Sequence, residues 1–286
     1  MIDESTTIAT LRREARTALA GLGRDAVAEG DILLADALSR DRSWLRAHED
    51  DAVEADPVRR YRDALARRAQ GEPIAYILGT REFFSLSLAV SPAVLIPRAE
   101  TERLVELVLE RLPPGRPCRV ADLGTGSGAV AITIAHQRPR AEVVATDASI
   151  DALAIARANA ERLALDGRIR FRLGDWYGAL TDEARFDIIA SNPPYIAQGD
   201  VHLGTGDLRF EPLEALVSGA DGLKAIRVIV AGAIPRLAVL GWLMIEHGYD
   251  QAAAVRDLMR DAGLVAVESA VDLSGHDRVT LGRRGV

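Results

Sequence analysis

Residues 192–195, Asn-Pro-Pro-Tyr, combine polar, rigid and aromatic groups at one point of the chain. They follow the apolar run 186–191, which predicts a buried strand, and ligands of open α/β sheets bind beyond the carboxyl ends of strands. The prolines withhold N–H donors and stiffen the turn. The Asn192 side-chain oxygen and the neighbouring carbonyls then offer acceptors for an –NH2 group, and Tyr195 offers a flat face for a planar group. A rigid turn with a packed tyrosine is the alternative interpretation.

A glycine turn, Gly124-Thr125-Gly126-Ser127-Gly128, joins a predicted strand at 119–123 to a predicted helix at 129–137. Glycines allow positive φ and close approach of the backbone to a ligand, and the helix start adds free N–H donors. The spacing differs from the G-x-G-x-x-G of nicotinamide sites, and no Gly-Lys-Ser/Thr follows, so the turn is not a Walker loop. The alternative is a purely structural tight turn.

Acidic residues follow the next two predicted strands. Asp147 comes after strand 141–145, 19 residues beyond the glycine turn, where an acid binds the two hydroxyls of a ribose. Asp175 and Trp176 come after strand 169–173, where they could hold the amine and the ring face of an adenine, although Trp176 alone is also typical of a core residue. In strand order these pieces predict a site for S-adenosyl-L-methionine with an amine acceptor beside it.

The chain resembles the protein-glutamine methyltransferases of the HemK/PrmC type, which modify peptide chain release factors. The resemblance covers nearly the whole chain. The Asn-Pro-Pro-Tyr motif alone is not specific to this family, because methylases of the adenine amine share its form. Its combination with further sequence blocks is much more specific. Ala99 stands where the family often has a proline, a change expected to matter little. The further blocks are Gly71 to Gly79, Leu95 to Glu102, Arg209 to Pro212, Glu246 to Gly248 and Asp277 to Gly282.

The resemblance implies an enzyme that moves a methyl group from S-adenosyl-L-methionine, leaving S-adenosyl-L-homocysteine. The implied acceptor is the side-chain amide nitrogen of the glutamine in the Gly-Gly-Gln motif of class 1 peptide chain release factors, so the enzyme would modulate translation termination. The implied cofactor contacts are Gly124, Thr125, Gly126, Ser127, Gly128, Asp147, Trp176 and Asn192. The implied glutamine contacts are Asn192, Pro193, Pro194 and Tyr195, of which Asn192, Pro193 and Tyr195 are the catalytic candidates. The residues expected at the mouth of the site are Pro97, Arg98 and Thr101.

The composition and net charge of the chain limit the classes of molecule that it is expected to bind. The 286 residues carry a net charge of −7, which argues against unaided tight binding to DNA or RNA backbone. The single cysteine, Cys118, cannot build a disulfide framework or a metal cluster, so no metal is predicted. Met1 to Ser5 lack a signal-peptide pattern, and no apolar run approaches the roughly 20 residues of a membrane span. We therefore expect a cytoplasmic protein without a membrane or DNA partner.

The patterning predicts a helical partner-binding domain at 1–81, a β-hairpin linker at 82–95 and an S-adenosylmethionine-dependent methyltransferase domain at 96–286. The last domain is expected to be Rossmann-like α/β, with a mostly parallel sheet. Its terminal strands, 264–272 and 277–283, are too close for a crossover and must form an antiparallel hairpin.

The third helix candidate of the first domain, Val58–Gln70, is entered through Asp56-Pro57 as a cap and first turn. Its arginines form either a solvated helix face or a docking patch for an acidic partner or RNA. They are Arg59, Arg60, Arg62, Arg67 and Arg68.

Two alternative functions remain compatible with the sequence. An adenine-amine methylase shares the Asn-Pro-Pro-aromatic edge but needs a basic target-recognition region, for which only 58–70 is a weak candidate. A non-catalytic partner of the translation machinery could retain the fold, but the intact Asp147 and Asn192 argue against it. His202 and His247 are expected to be structural.

Overall fold

The computed structural model describes residues 6–22, 26–181 and 184–286, which fall into two compact units. The first unit consists of the chain up to Gly79 together with Gly204–Phe210. The second consists of Thr80–Leu203 and Glu211–Val286. Met1 to Ser5, on which the absence of a signal pattern was judged, lie outside the described residues.

The first unit is helical. Its core is apolar and includes Tyr61, which is fully buried and donates its hydroxyl hydrogen to the Leu11 carbonyl at 3.1 Å. α1 begins after Thr7, whose side chain accepts from the N–H of Thr10 and so caps the helix. The helices are α1 (Ile8–Ala18), α2 (Ala26–Leu38), α3 (Arg42–Ala47), α4 (Ala55–Ala69) and α5 (Ile74–Leu78).

α4 begins earlier than predicted. Glu54, in an extended conformation, is its N-cap, so the prediction that Asp56 caps the helix is wrong. Pro57 still lies in the first turn, where its missing N–H would have no partner within the helix. Asp56 instead pairs from within the helix with Arg59 and Arg60.

The positive charges of the α4 arginines are balanced by acidic residues of the same unit. Arg68 is the buried one, with 8% of its surface exposed. It binds Glu29 at 2.9 Å and Asp207 at 3.1 Å. The remaining pairs are Arg59 and Arg60 with Asp56, Arg62 with Glu14, and Arg67 with Glu72. This arrangement favours the ion-paired, solvated face over a patch of unbalanced positive charge.

The second unit contains an antiparallel hairpin, β1 (Thr80–Phe83) and β2 (Leu86–Ala89), and a seven-stranded sheet of order β5-β4-β3-β6-β7-β9-β8. The first five strands of that order are parallel, whereas β9 is antiparallel to both neighbours. The predicted Rossmann-like α/β fold with an antiparallel terminal hairpin is confirmed. The strands are β3 (Cys118–Leu123), β4 (Ala141–Asp147), β5 (Ile169–Leu173), β6 (Phe186–Ser191), β7 (Leu237–Glu246), β8 (Leu264–Val271) and β9 (Asp277–Arg284).

Helices pack on both faces of this sheet. Neighbouring residues of β6, Ile188 and Ile189, are both buried but belong to different core clusters, as expected for a strand covered on two sides. One cluster holds the apolar residues of α6 and α7, and the other holds those of α9 and α10. The helices are α6 (Ala99–Arg111), α7 (Ala129–Gln137), α8 (Ile150–Arg162), α9 (Lys224–Arg236) and α10 (Ala252–Asp261).

β7 begins four residues before the apolar run 241–246, for which the sequence predicts a strand. Its pairing with β6 shifts register between Phe186 and Ile188, and Leu240 has a positive φ of 65°. Such an irregularity interrupts the alternation on which sequence prediction depends. No helix in the described part of the chain is long and apolar enough to span a membrane.

Candidate active site

A cavity of about 480 Å³ lies in the second unit, beyond the carboxyl ends of β3, β4, β5 and β6. This volume is in the range of small-molecule sites, about 300–1,000 Å³. The sequence-predicted residues that line it are Gly124, Thr125, Gly126, Ser127, Asp147, Trp176, Asn192 and Pro194, with Pro97, Arg98 and Thr101 beside them. The predicted residues Gly128, Pro193 and Tyr195 are not among those lining it.

The glycines of the turn after β3 have different roles. A Cβ at Gly124, where φ is +73°, would lie 3.3 Å from the Trp176 ring, so glycine permits the close approach of that ring. At Gly126 the surrounding space is open. Gly128 is the N-cap of α7, and a Cβ there would lie 2.7 Å from Cδ1 of Ile132. Gly128 is therefore a packing glycine, and its predicted cofactor contact stays a prediction.

Asp147, at the end of β4, holds two backbone segments of the site. Its Oδ2 accepts from the Gly126 N–H and its Oδ1 from the Ser149 N–H, both at 2.9 Å. Each carboxylate oxygen has a further lone pair, so both can accept another hydrogen bond. The acid therefore fixes the glycine turn and remains able to bind hydroxyl groups.

Trp176 begins a short 3₁₀ turn, Trp176–Leu180, with a positive φ of 43°. Such a backbone conformation is uncommon for an aromatic residue and indicates a local constraint. The ring is half-buried, packs on the core and lies beside Gly124. Asp175 also lines the cavity, so an acid and an aromatic ring both border it, and their contact with an adenine stays a prediction.

Asp122 is a cavity residue whose role the sequence pattern does not indicate. It is the acid just before the glycine turn and is 1% exposed. Burial raises its pKa to about 7, against the hydrogen bonds that it accepts from the Thr125 hydroxyl and the Ala131 N–H. The carboxyl therefore changes its charge near neutral pH.

Asn192 is held from one side. Its Nδ2 donates to the Thr101 hydroxyl oxygen at 3.0 Å. Its Oδ1 is buried and has no hydrogen-bond partner among the described residues. Within the same part of the chain, no hydrogen bond is made to the Pro193 carbonyl. Since a buried acceptor without a partner costs about 1–3 kcal/mol, the Asn192 Oδ1 favours an incoming donor.

Glu246, at the end of β7, is fully buried. Burial raises its pKa to about 7. The Tyr195 hydroxyl lies 3.5 Å from Oε1 of Glu246, and burial raises the pKa of Tyr195. Tyr195 thus contributes its hydroxyl to a buried polar cluster, a contact that its place in the sequence did not indicate.

Three further polar side chains singled out in the sequence have structural partners. Arg98 at the cavity binds the buried Glu211. His247 is buried between the Gly248 carbonyl and the Thr280 hydroxyl, and burial lowers its pKa. His202 is exposed and pairs with Asp200. No cluster of ligands suited to a metal ion occurs in the described residues.

Comparison with known proteins covers both units. The family described as PrmC N-terminal domain matches residues 10–79, and the Methyltransferase small domain matches residues 98–211. The release factor glutamine methyltransferase of Xylella fastidiosa (strain Temecula1) is 53% identical over 89% of this chain and 92% of its own. This chain belongs to the release factor glutamine methyltransferase family. It is therefore a methyltransferase, as its motifs predicted.

Other relatives agree with this family membership. The release factor glutamine methyltransferase of Vibrio cholerae serotype O1 is 45% identical over 98% of this chain and 97% of its own. Among solved structures, the match to the hMettl16 catalytic domain in complex with MAT2A 3'UTR hairpin 1 covers 78% of this chain and 81% of that chain. Its TM-score of 0.59 at 18% identity shows the shared fold.

Proposed function

We propose that this methyltransferase transfers a methyl group from S-adenosyl-L-methionine to the side-chain amide nitrogen of the glutamine in the Gly-Gly-Gln motif of class 1 peptide chain release factors. The observation that carries the proposal is the Asn192 side chain. Its Nδ2 is held by Thr101, which leaves the buried Oδ1 as an acceptor at the edge of the cavity. In this proposal the enzyme acts in the cytoplasm and modulates translation termination.

The residues of the cavity fit the cofactor. When bound, S-adenosyl-L-methionine supplies an electrophilic methyl group on a sulfonium. Asp147 has acceptor capacity for ribose hydroxyls, and Trp176 has a ring face for a purine. The turn 124–127 brings backbone close to the cavity without side-chain bulk at its glycines. Asp122, below this turn, is a buried carboxyl that can face a positive charge.

The acceptor edge, formed by Asn192 Oδ1 and the Pro193 carbonyl, compensates for the low nucleophilicity of an amide nitrogen. An amide nitrogen is poorly nucleophilic because its lone pair is delocalised into the carbonyl. Acceptors for both N–H bonds favour the pyramidal nitrogen that develops positive charge, so they stabilise the transition state more than the ground state. Asn192 Oδ1 and the Pro193 carbonyl are the two acceptors in this proposal, and Pro194 and Tyr195 stiffen the edge. Once alkylated, the nitrogen is strongly acidic, so a strong base is unnecessary.

The helical unit is proposed to bind the release factor outside the Gly-Gly-Gln loop. A glycine-rich loop offers little side-chain surface and loses much backbone entropy on ordering. Specificity for one class of protein therefore requires contacts elsewhere, which residues up to Gly79 with Gly204–Phe210 can supply. We expect a short Gly-Gly-Gln peptide to be methylated much more slowly than the intact release factor.

Methyl-labelled cofactor tests the proposal directly. The enzyme is incubated with an intact class 1 release factor, with the same factor lacking the Gly-Gly-Gln glutamine, and with duplex or single-stranded DNA. Label should enter only the intact factor, and fragment mass spectrometry should place one methyl group on that glutamine. Label on adenine in DNA, with none on the release factor, would instead indicate an adenine-amine methylase. Label on neither acceptor would reject this substrate class.

A further inference from the structure

We infer that Gln251 is a positioning residue that holds the acceptor edge in place through the Tyr195 carbonyl. The inference rests on the proposed function, because this edge is the proposed acceptor of the glutamine –NH2 group. Gln251 is not among the residues that line the cavity. It therefore acts through the backbone that carries Asn192 and Pro193, and not on the reacting atoms.

The side-chain amide of Gln251 joins three backbone segments of the second unit. Its Nε2 donates to the Tyr195 carbonyl at 3.0 Å and also to the Asp221 carbonyl, at 3.4 Å. Its Oε1 accepts from the Gly248 N–H at 2.9 Å. The Gln251 backbone is fixed in turn, because it is the N-cap of α10 and its carbonyl accepts from the Val255 N–H. The end of the Asn-Pro-Pro-Tyr turn is thus tied to the start of a helix.

The neighbours of this amide permit one orientation only. Two carbonyl oxygens need a donor and one N–H group needs an acceptor, and an amide supplies both from its two ends. In the reverse orientation, Oε1 would face the carbonyls of Tyr195 and Asp221, and Nε2 would face the Gly248 N–H. A glutamate has nearly the same shape but, when ionised, has no hydrogen for the carbonyls. The position therefore suits a glutamine.

Gly222 permits the close approach of the Tyr195 carbonyl. A Cβ at Gly222, where φ is +75°, would lie 2.2 Å from the Tyr195 carbonyl oxygen and 2.6 Å from Nε2 of Gln251. A residue with a side chain at this position would displace the carbonyl, its donor, or both. Gly222 and Gln251 together therefore define where the Tyr195 carbonyl lies.

The acceptor edge depends on such support because it has few backbone hydrogen bonds of its own. Pro193 and Pro194 have no N–H group. Within the described residues, the Tyr195 carbonyl is the first backbone group after these prolines that takes part in a hydrogen bond. The proline rings lock two φ angles, so fixing β6 on one side and Tyr195 on the other leaves the Pro193 carbonyl little freedom. Loss of the Gln251 side chain releases one of these two ends.

Removing the amide should lower the rate and leave cofactor binding intact. Gln251→Leu lacks the bond to Tyr195, and kcat on the intact release factor should fall about tenfold, the equivalent of one hydrogen bond. The KM for the release factor and the affinity for the cofactor should change much less, because Gln251 lies outside the cavity. The helix should persist, since the Gln251 side chain makes no capping bond to it. A loss of cofactor affinity as large as the loss in kcat overturns the inference.

A pH profile of Gln251→Glu tests the direction of the hydrogen bond. The ionised carboxylate opposes the Tyr195 carbonyl, so kcat at pH 8 should fall more than in Gln251→Leu. The protonated carboxyl can donate to Tyr195 and accept from Gly248, as the amide does. The neighbouring acids Asp221 and Asp250 favour this protonated form, although Asp221 is paired with Arg227.

The rate of Gln251→Glu relative to the unaltered enzyme should therefore rise as the pH falls. From pH 8 to pH 5 we expect a rise of at least about fivefold, because a glutamate titrates with an ordinary pKa of about 4.3. Gln198→Glu, the same substitution at an exposed position outside the cavity, is the control and should show no such rise. A relative rate of Gln251→Glu that is the same at both pH values overturns the inference.

Gly222→Ala and Gly219→Ala form a matched pair on one loop. Their φ angles are +75° and +76°, so both variants carry similar backbone strain. The atom nearest to a Cβ at Gly219 is Cβ of Lys224, at 3.2 Å, and not the Tyr195 carbonyl. Gly222→Ala should lower kcat at least about tenfold and Gly219→Ala less than about threefold. Equal losses in the two variants would assign the effect to strain in the loop and overturn the inference.

Hydrogen exchange in the full-length enzyme provides a test without methylation. The N–H groups of Ile196 and Gln198, bonded to the carbonyls of Leu216 and Gly219, follow the Tyr195 carbonyl in the chain. In Gln251→Leu they should exchange about tenfold faster, whereas those of β3 should keep their rates. Unchanged exchange at both positions overturns the inference whether or not the release factor is the substrate.

The outcomes separate the two proposals. An unaltered enzyme that does not methylate the release factor contradicts the proposed function, and hydrogen exchange then still decides whether Gln251 holds this segment. If the unaltered enzyme is active and Gln251→Leu matches its kcat, the positioning inference alone fails.

Discussion

At the scale of single residues, the acceptor edge depends on contacts that the sequence does not reveal. Asn192 could be singled out because it ends a strand beside two prolines. Its partner Thr101 lies 91 residues away and was expected only at the mouth of the site. Glu246 was noted as part of a motif but had no assigned contact. Buried polar pairs of this kind arise from tertiary packing, which single-sequence patterns do not encode.

Replacing Asn192 should separate catalysis from binding. Asn192→Ala removes the proposed acceptor of the transferring nitrogen, so the single-turnover methylation rate should fall about 10²-fold. Affinity for the release factor, measured by titration, should change much less, because most of the docking surface lies elsewhere. Gln198→Ala, which alters an exposed amide outside the cavity, is the control. A normal rate with lost affinity would make Asn192 a docking residue.

Replacing Asp147 should weaken cofactor binding. Asp147→Ala loses two charge-assisted hydrogen bonds to ribose, each worth roughly 1.5–3 kcal/mol, so calorimetry should find affinity reduced at least about 10²-fold. The Gly126 and Ser149 N–H groups also lose their acceptor, so a modest loss of stability, about 1–2 kcal/mol, is expected. Glu142→Ala, an exposed acid on the same strand, is the control. Unchanged affinity in a folded Asp147→Ala would remove this residue from the site.

At the scale of elements, the catalytic sheet was largely predictable. β5 and β6 have the predicted bounds, because apolar residues alternate with arginine in β5 and β6 is a mainly apolar run. The start of β7 was missed because an irregularity at Leu240 breaks the pattern, and the start of α4 because Glu54 caps it without a side-chain hydrogen bond. α3 and α5 are too short to produce a periodic signal, and their existence depends on packing within the helical unit.

The glycine turn before α7 offers a matched pair of substitutions. Gly128→Ala places a Cβ 2.7 Å from Ile132 at a φ of +86°, so it should reduce the free energy of unfolding by roughly 2–4 kcal/mol. Gly126→Ala has open space at a φ of +54° and should cost only about 1–2 kcal/mol. Urea unfolding provides both values.

Cofactor titration of the same pair distinguishes their roles. Gly126 lines the cavity, so Gly126→Ala should weaken cofactor binding, whereas folded Gly128→Ala should bind it as the unaltered enzyme does. Weaker binding by folded Gly128→Ala would instead support the cofactor contact that the family resemblance implied for Gly128.

At the scale of the whole molecule, two fully buried carboxyls make stability depend on pH. Burial raises the pKa of Asp122 from 3.8 to about 7, so the folded protein holds this proton more tightly than the unfolded chain does. Stability from this group is fully present below pH 3.8 and is lost as the pH rises through 7. The same sign applies to Glu246, whose pKa is raised from 4.5 to about 7.

Asp122→Asn should therefore gain stability relative to the unaltered protein as the pH rises. Between pH 5 and pH 8 the difference in free energy of unfolding should move in favour of the variant by about 2–3 kcal/mol, measured by urea unfolding without cofactor. Asp151→Asn, the same substitution at an exposed position in α8, is the control. A difference that is independent of pH would place the Asp122 titration outside this range.

The helical unit is interrupted in sequence, because Gly204–Phe210 belongs to it. Arg209 donates to the Gln70 carbonyl at 2.7 Å, and its guanidinium occupies the space that a Cβ of Gly71 would need. Asp207 is likewise bound to Arg68. The helical unit is therefore encoded by two separate segments of the gene, and substitutions in one segment must stay compatible with the residues of the other. A chimera that receives only the N-terminal segment from a relative has the relative's residues at positions 68 and 71. It keeps Asp207 and Arg209 of this chain, which must pack against them. Recombination between relatives should succeed more often when both segments are exchanged.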